Sequence, residues 1–200
     1  LNIASNSKVF IGVAHMKVVD QGKITLETEL NKILPFTDTN PHSPETPIRV
    51  KHLVTHTSGI LDDEGTYFSN YSILAVEDLN SPMAQRMQSE LVVKTQGQVL
   101  PLADFLQAYF TPDDALYKTT NLGTYAAGNS YAYSNIGSAL AAYLVEIVTG
   151  ESFDEYTQKV IFEPLHMNNT AWKLTQIDRS QVSNQYWNRN NPIPFYTIAT

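Results

Sequence analysis

Ile48-Arg49-Val50-Lys51-His52-Leu53-Val54-Thr55-His56-Thr57-Ser58-Gly59-Ile60 is the stretch from which the rest of the chain is best read. Residues 48–56 read as a short helix, and Gly59, which tolerates a left-handed backbone, is its expected C-terminal stop. The Thr and Ser hydroxyls just before Gly59 suit the unpaired backbone groups of a helix end. His52 and His56 stand i, i+4, a spacing at which two imidazoles can share a metal. No Glu adjoins His52 to act as a metalloprotease base and no third ligand is evident, so a helix end is expected here and no metal.

Working outward on the N-terminal side, residues 35–47 carry Pro35, Pro41, Pro44 and Pro47 and read as a surface loop. Lys23 to Leu34 suits a short extended piece followed by a helical turn, and Gln21-Gly22 suits a turn. From Ser5 to Val18, Val9, Phe10, Val13, Ala14 and Met16 recur at helical spacing. On the C-terminal side, residues 61–100 are polar and irregular. Pro101 opens a helix with Leu102, Phe105, Leu106, Tyr109 and Phe110 on one face and Pro112 just beyond. Residues 113–132 read as loop. The strongest helix runs from Ile136 to Thr149, with Ile136, Leu140, Tyr143, Leu144 and Ile147 aligned and Gly150 closing it. Ser152-Phe153-Asp154-Glu155 has the form of a capping box for a further helix that Pro164 ends. The tail from Leu174 is Asn/Gln-rich and weakly patterned. There is no repeat and no linker, and few segments look like central strands.

Composition narrows the function. Hydrophobic residues make up 42% of the 200-residue chain, enough for a folded domain rather than a disordered one. A net charge of -7 argues against nucleic acid or an anionic membrane surface as partner. The apolar run Ala139 to Val145 is cut by Glu146, so no transmembrane segment is expected. The absence of cysteine removes a thiol nucleophile and a Cys-based zinc site. There is no Gly-x-Ser-x-Gly elbow, so the α/β-hydrolase reading fails, and no dinucleotide or Walker loop, so nucleotide binding has no support and no cofactor is expected.

Two motifs can carry chemistry. Ser5-Asn6-Ser7-Lys8 is a Ser-x-x-Lys at a helix start. Three residues turn an α-helix by about 300°, leaving the two side chains about 60° apart and one turn removed. Ser Oγ and Lys Nζ can therefore meet. A serine hydroxyl needs an adjacent base, and an electropositive helix N-terminus favours the neutral amine that such a base requires. The bland alternative is Ser5 as a helix N-cap with Lys8 solvated. Tyr133-Ser134-Asn135 precedes the strongest helix, where a loop can aim short polar side chains into a cleft. A tyrosine beside Ser and Lys can relay a proton, and the Asn135 amide can bond a substrate amide and the lysine. The alternative is a core-facing Tyr with Asn135 capping the helix. Tyr186-Trp187-Asn188 repeats the Tyr-x-Asn triplet but precedes no helix and reads as loop.

Ile3-Ala4-Ser5-Asn6-Ser7-Lys8-Val9-Phe10, Gly22-Lys23-Ile24-Thr25-Leu26, the Ile48–Ile60 stretch, Tyr131-Ala132-Tyr133-Ser134-Asn135-Ile136-Gly137 and Phe162-Glu163-Pro164-Leu165-His166-Met167-Asn168-Asn169-Thr170 occur in that order. In this series the chain resembles the serine β-lactamase-related family, which includes class C β-lactamases, DD-carboxypeptidases, D-aminopeptidases and related esterases. Leu53-Val54-Thr55-His56-Thr57-Ser58-Gly59 is the most specific piece. The resemblance implies an α+β fold of the β-lactamase/transpeptidase type. Residues 1–200 would be a partial domain, mostly helical, with most of the antiparallel sheet absent. It implies that Ser5 attacks a carbonyl to form an acyl-enzyme, with Lys8 and Tyr133 as proton-transfer partners and Asn135 positioning the substrate. The Ser5 backbone N–H would form half of an oxyanion hole. The substrate would be a β-lactam, a D-amino-acid peptide or an ester. A penicillin-capturing sensor and an inactive structural relative are the alternatives. An extracytoplasmic location is likewise implied by the resemblance alone.

The chain departs from the family in one motif. A Lys/His-x-Gly strand is absent: Lys94-Thr95-Gln96-Gly97 has the wrong spacing, and Val148-Thr149-Gly150 lacks the basic residue. Ala127 also stands where Pro commonly precedes Gly128. The expectation is a portion of a longer hydrolase that on its own binds and turns over substrate poorly.

Overall fold

The central element is α6 (Asn135–Thr149), a long and largely apolar helix. Its residues Ile136, Leu140, Ala141, Leu144 and Val145 are buried because other helices flank it on several sides. These are α1 (Lys8–Asp20), α2 (Val50–Val54), α5 (Leu102–Phe110) and α7 (Phe153–Thr157). The computed structural model describes residues 2–198. Gly150 closes α6 in the left-handed conformation, φ 75°, as expected. Phe105, Leu106, Tyr109 and Phe110 of α5 are buried against the same core. Among the described residues, no single helix is long and apolar enough to cross a membrane.

The main helices and the 35–47 loop lie where the pattern places them, but several details differ. In α1 the buried residues are Ala14, His15 and Val18. Val9, Val13 and Met16 are 65%, 38% and 52% exposed, so three of the apolar residues expected on one buried face form an uncovered stripe. The helix is apolar on two sides, and periodicity does not say which side meets α6. His15 is chosen instead, with Nε2 bonded to the Ala141 carbonyl at 2.8 Å.

The Ile48–His56 helix is shorter than expected. It spans Val50–Val54, and His56, at φ 55°, turns left-handed ahead of Gly59, at φ 82°. The Thr57 N–H reaching the His52 carbonyl at 2.8 Å fixes that early turn. The expected capping box at Ser152 is also replaced. Ser152 Oγ donates to Glu155 Oε2 at 2.7 Å, and the Phe153 N–H is taken by Glu146 Oε1 at 2.8 Å. After α7 the chain continues as a π turn, Gln158–Phe162, ahead of Pro164.

Residues 61–100 and the tail contain more structure than their polarity suggests. They form α3 (Glu64–Phe68), β1 (Tyr71–Ile73), α4 (Pro82–Glu90) and β2 (Lys94–Thr95). The tail supplies β3 (Gln185–Asn188), β4 (Asn191–Ile193) and β5 (Tyr196–Ile198). β1 lies between β2, parallel, and β5, antiparallel, while β3 and β4 form a hairpin. Tyr186-Trp187-Asn188 is therefore strand, not loop. Tyr71, Ile73, Ala84, Met87 and Val93 make a second, small core there. Its strands are too short to show a period, α4 buries only Met83, Ala84 and Met87 in an otherwise polar helix, and β1 is completed by residues more than a hundred positions away.

Asp38, in the proline-rich loop, yields a stability prediction. It is 1% exposed, and neither carboxylate oxygen has a hydrogen-bond partner among the described residues. Burial pushes its carboxyl from 3.8 up to about 7. The folded state thus holds this proton to higher pH than the unfolded chain does. The contribution is harmless below about pH 4, and stability is lost as pH rises from there to about 7, by up to about 4 kcal/mol. Asp38→Asn is expected to stabilise the protein by about 1–3 kcal/mol at pH 8 and little at pH 4. Urea unfolding of both proteins at the two pH values measures this, and an equal gain at both would contradict it.

Candidate active site

Ser5 lies in a 3₁₀ turn, Ala4–Ser7, that runs directly into α1. In a 3₁₀ turn residues i and i+3 eclipse, so Ser5 and Lys8 stack more closely than α-helical geometry alone would place them. Lys8 Nζ donates to Ser5 Oγ at 3.1 Å. Ser5 is exposed and its side chain caps no helix. Ala4, immediately before it, is held at φ 45°, a left-handed conformation that costs a non-glycine residue about 1–2 kcal/mol. Its N–H bonds to Asn2 Oδ1 at 2.8 Å.

The loop ahead of α6 meets this turn. Tyr133 OH donates to Ser5 Oγ at 2.7 Å and approaches Asn135 Oδ1 at 3.4 Å. Lys8 Nζ donates to Asn135 Oδ1 at 2.8 Å and sits 5.0 Å from the centre of the Tyr133 ring. All four residues singled out in the sequence, Ser5, Lys8, Tyr133 and Asn135, therefore share one cluster. Tyr133 is exposed rather than core-facing, and the N-cap of α6 is Ser134, whose Oγ accepts the Gly137 N–H at 2.8 Å. Partial burial alone would raise the Tyr133 phenol. Its hydrogen bonds with Lys8 and Ser5 and the Lys8 charge outweigh that and hold it below the ordinary tyrosine value.

Two side chains not assigned to this cluster from sequence hold the loop in place. Asp62 accepts Ser134 Oγ at 2.8 Å, Asn135 N at 2.8 Å, Asn135 Nδ2 at 2.8 Å and Ile136 N at 3.0 Å. A carboxylate at the start of a helix is favourable in itself, since it takes up unpaired N–H groups at the positive end of the dipole. Asp62 lies in the stretch read as irregular, and nothing in its spacing from the Tyr133 loop signals the contact.

His56 Nδ1 accepts the Ser134 N–H at 3.3 Å, its carbonyl accepts the Ala132 N–H at 2.8 Å, and its ring packs 4.7 Å from that of Tyr133. Burial and the nearby Lys8 charge hold the His56 imidazole below its ordinary value, and because Nδ1 accepts, the neutral ring carries its proton on Nε2. His52 turns elsewhere, its Nδ1 accepting the Arg49 N–H at 3.1 Å. The two imidazoles thus serve different backbone groups. No group of three or more His, Asp or Glu suited to a metal occurs among the described residues.

Residues 1–197 match the family model described as Beta-lactamase. The chain is similar to Protein flp of Staphylococcus aureus (strain N315), 26% identical over 173 residues, which is 86% of this chain and 28% of that protein. Its fold is similar to that of a D-stereospecific amidohydrolase from Streptomyces sp., with TM-score 0.65 and 20% identity over 100% of this chain and 52% of that one. It also resembles an octameric penicillin-binding protein homologue from Pyrococcus abyssi, with TM-score 0.62 and 21% identity over 96% of this chain and 41% of that one. The chain therefore spans less than a third of the curated relative and about half of the matched structures.

Proposed function

The chain belongs to the beta-lactamase family, and on that premise we propose that it carries the acylation site of a serine hydrolase, with Ser5 as nucleophile. The observation that supports this most directly is the convergence of two proton-transfer groups on one exposed hydroxyl. Tyr133 OH stands 2.7 Å and Lys8 Nζ 3.1 Å from Ser5 Oγ. In the acylation step Ser5 Oγ bonds to the carbonyl carbon of an amide, β-lactam or ester. The proton leaving Oγ passes through the Lys8–Tyr133 pair to the nitrogen or oxygen of the leaving group as its bond to that carbon breaks. In the second step water attacks the acyl-serine, the Oγ–C bond breaks, and Ser5 regains a proton. Asn135, bonded to Lys8, keeps one N–H available for a substrate carbonyl.

The substrate class is an acyl compound with an accessible carbonyl: a β-lactam, a D-amino-acid peptide or amide, or a small ester. The test is intact-mass measurement with peptide mapping after exposure to benzylpenicillin and to p-nitrophenyl acetate. The expected result is a single adduct on the peptide carrying Ser5. No adduct with either probe, or one on another residue, would count against the reading. The lifetime of the adduct separates a hydrolase, which clears it, from a protein that only captures penicillin.

A further inference from the structure

Asn135 is an amide, and either end of it could face Lys8; that choice decides whether the site works. We propose that Asp62 is a positioning residue that fixes this orientation, presenting the Asn135 carbonyl oxygen to Lys8. Asp62 touches no reacting atom, so it acts through Asn135. The inference rests on the reading of Lys8 and Ser5 as an acylating pair.

The argument follows from donor and acceptor counts. In this cluster the Asp62 oxygens only accept, and Lys8 Nζ only donates. Asp62 Oδ2 takes Asn135 Nδ2 at 2.8 Å on one side, and Lys8 Nζ donates to Asn135 Oδ1 at 2.8 Å on the other. Turning the amide over would set oxygen against the carboxylate and nitrogen against the Lys8 donor, losing both bonds. The same carboxylate also takes the backbone N–H groups of Asn135 and Ile136 and the Ser134 hydroxyl, so it cannot swing away without undoing the start of α6. Tyr133 adds to the selection, since its OH also approaches Oδ1, at 3.4 Å. With Oδ1 turned inward, Lys8 is drawn to a point from which it still reaches Ser5 Oγ at 3.1 Å. With Nδ2 inward, the lysine would be driven away from the serine.

Asp62→Asn changes one atom type and keeps the shape. Its amide can offer a donor where Asn135 needs an acceptor, which permits the wrong orientation. Ser5 acylation at saturating p-nitrophenyl acetate is expected to slow about ten- to a hundredfold, while the half-saturating concentration moves less than about threefold. The double variant Asp62→Asn with Asn135→Asp reverses the side-chain pairing, at the cost of the acceptor that Asp62 Oδ2 gives the backbone N–H of residue 135: the amide at 62 donates to one oxygen of the carboxylate at 135, and the other oxygen still accepts from Lys8. Recovery of at least about tenfold over the single variant is expected, which a merely structural role for Asp62 would not produce. Acylation by Asp62→Asn within threefold of wild type, or a double variant no faster than the single one, would overturn the proposal.

A second measurement does not depend on turnover. Hydrogen exchange of the Asn135 side-chain amide, followed by nitrogen-15 NMR, is expected to show protection in the wild type and loss of it in Asp62→Asn. An unprotected amide in the wild type would overturn the orientation lock. If Ser5 is never acylated but the amide is protected, the functional reading fails and the positional one stands.

Discussion

Ser5→Ala is expected to abolish covalent capture of both benzylpenicillin and p-nitrophenyl acetate, with loss of the nitrophenol burst. The hydroxyl is the nucleophile on which Tyr133 OH and Lys8 Nζ converge; the other oxygen they share, Asn135 Oδ1, is an amide acceptor and cannot replace it. With a methyl group in its place the two proton carriers remain but have no nucleophile to serve. Removing a nucleophile from a group of residues that act as a unit costs about 10⁴-fold or more in rate. Folding should be nearly indifferent. Ser5 is exposed, and its hydroxyl anchors no helix end, so a shift in thermal midpoint of only about 1–2 °C is expected. An alanine variant that still formed the same adduct would remove Ser5 from the chemistry and favour an inactive structural relative.

Lys8→Met is the second large effect. Methionine keeps much of the length and loses the charge and the donors. Acylation of Ser5 is expected to fall about 10²- to 10⁴-fold, the usual worth of a positioned proton-transfer group. The change also reaches Tyr133. Burial pushes that phenol up, and the hydrogen bonds with Lys8 and Ser5 together with the Lys8 charge push it further down. Without Lys8 the downward contributions shrink, so the phenol should ionise at higher pH than in the wild type. Ultraviolet difference titration of Lys8→Met and wild type, with Tyr133→Phe to identify the signal, measures the direction. Acylation within tenfold of wild type, or a phenol that ionises at lower pH, would remove Lys8 from the proposed role.

The helices that were legible in the sequence share a property: each buries one face against many neighbours, so its apolar residues must recur at helical spacing. That holds for Ile136, Leu140 and Leu144 in α6 and for Phe105, Leu106 and Tyr109 in α5. α1 was legible as a helix but not in its facing, because Val9, Val13 and Met16 on one side are as apolar as Ala14 and Val18 on the other. Residues 61–100 resisted because α3, β1 and β2 are each five residues or fewer and α4 buries only Met83, Ala84 and Met87 in an otherwise polar helix. In so short an element no period can be read, and β1 owes its burial to partners at residues 94–95 and 196–198.

The candidate site divides in the same way. The sequence by itself determined that the chain belongs among the beta-lactamase relatives, that residues 136–149 form a strong apolar helix, and that Ser5 and Lys8 lie one turn apart on one face. That last relation is local geometry, carried by three residues of spacing in any helical start. Only the tertiary structure decided that Tyr133, 128 positions from Ser5, reaches its hydroxyl, and that Asp62 grips the loop between them. These contacts depend on how α1 packs on α6 and on where the chain after Gly59 runs. Such packing is settled by the summed burial of many side chains and leaves no local mark on the residues it brings together.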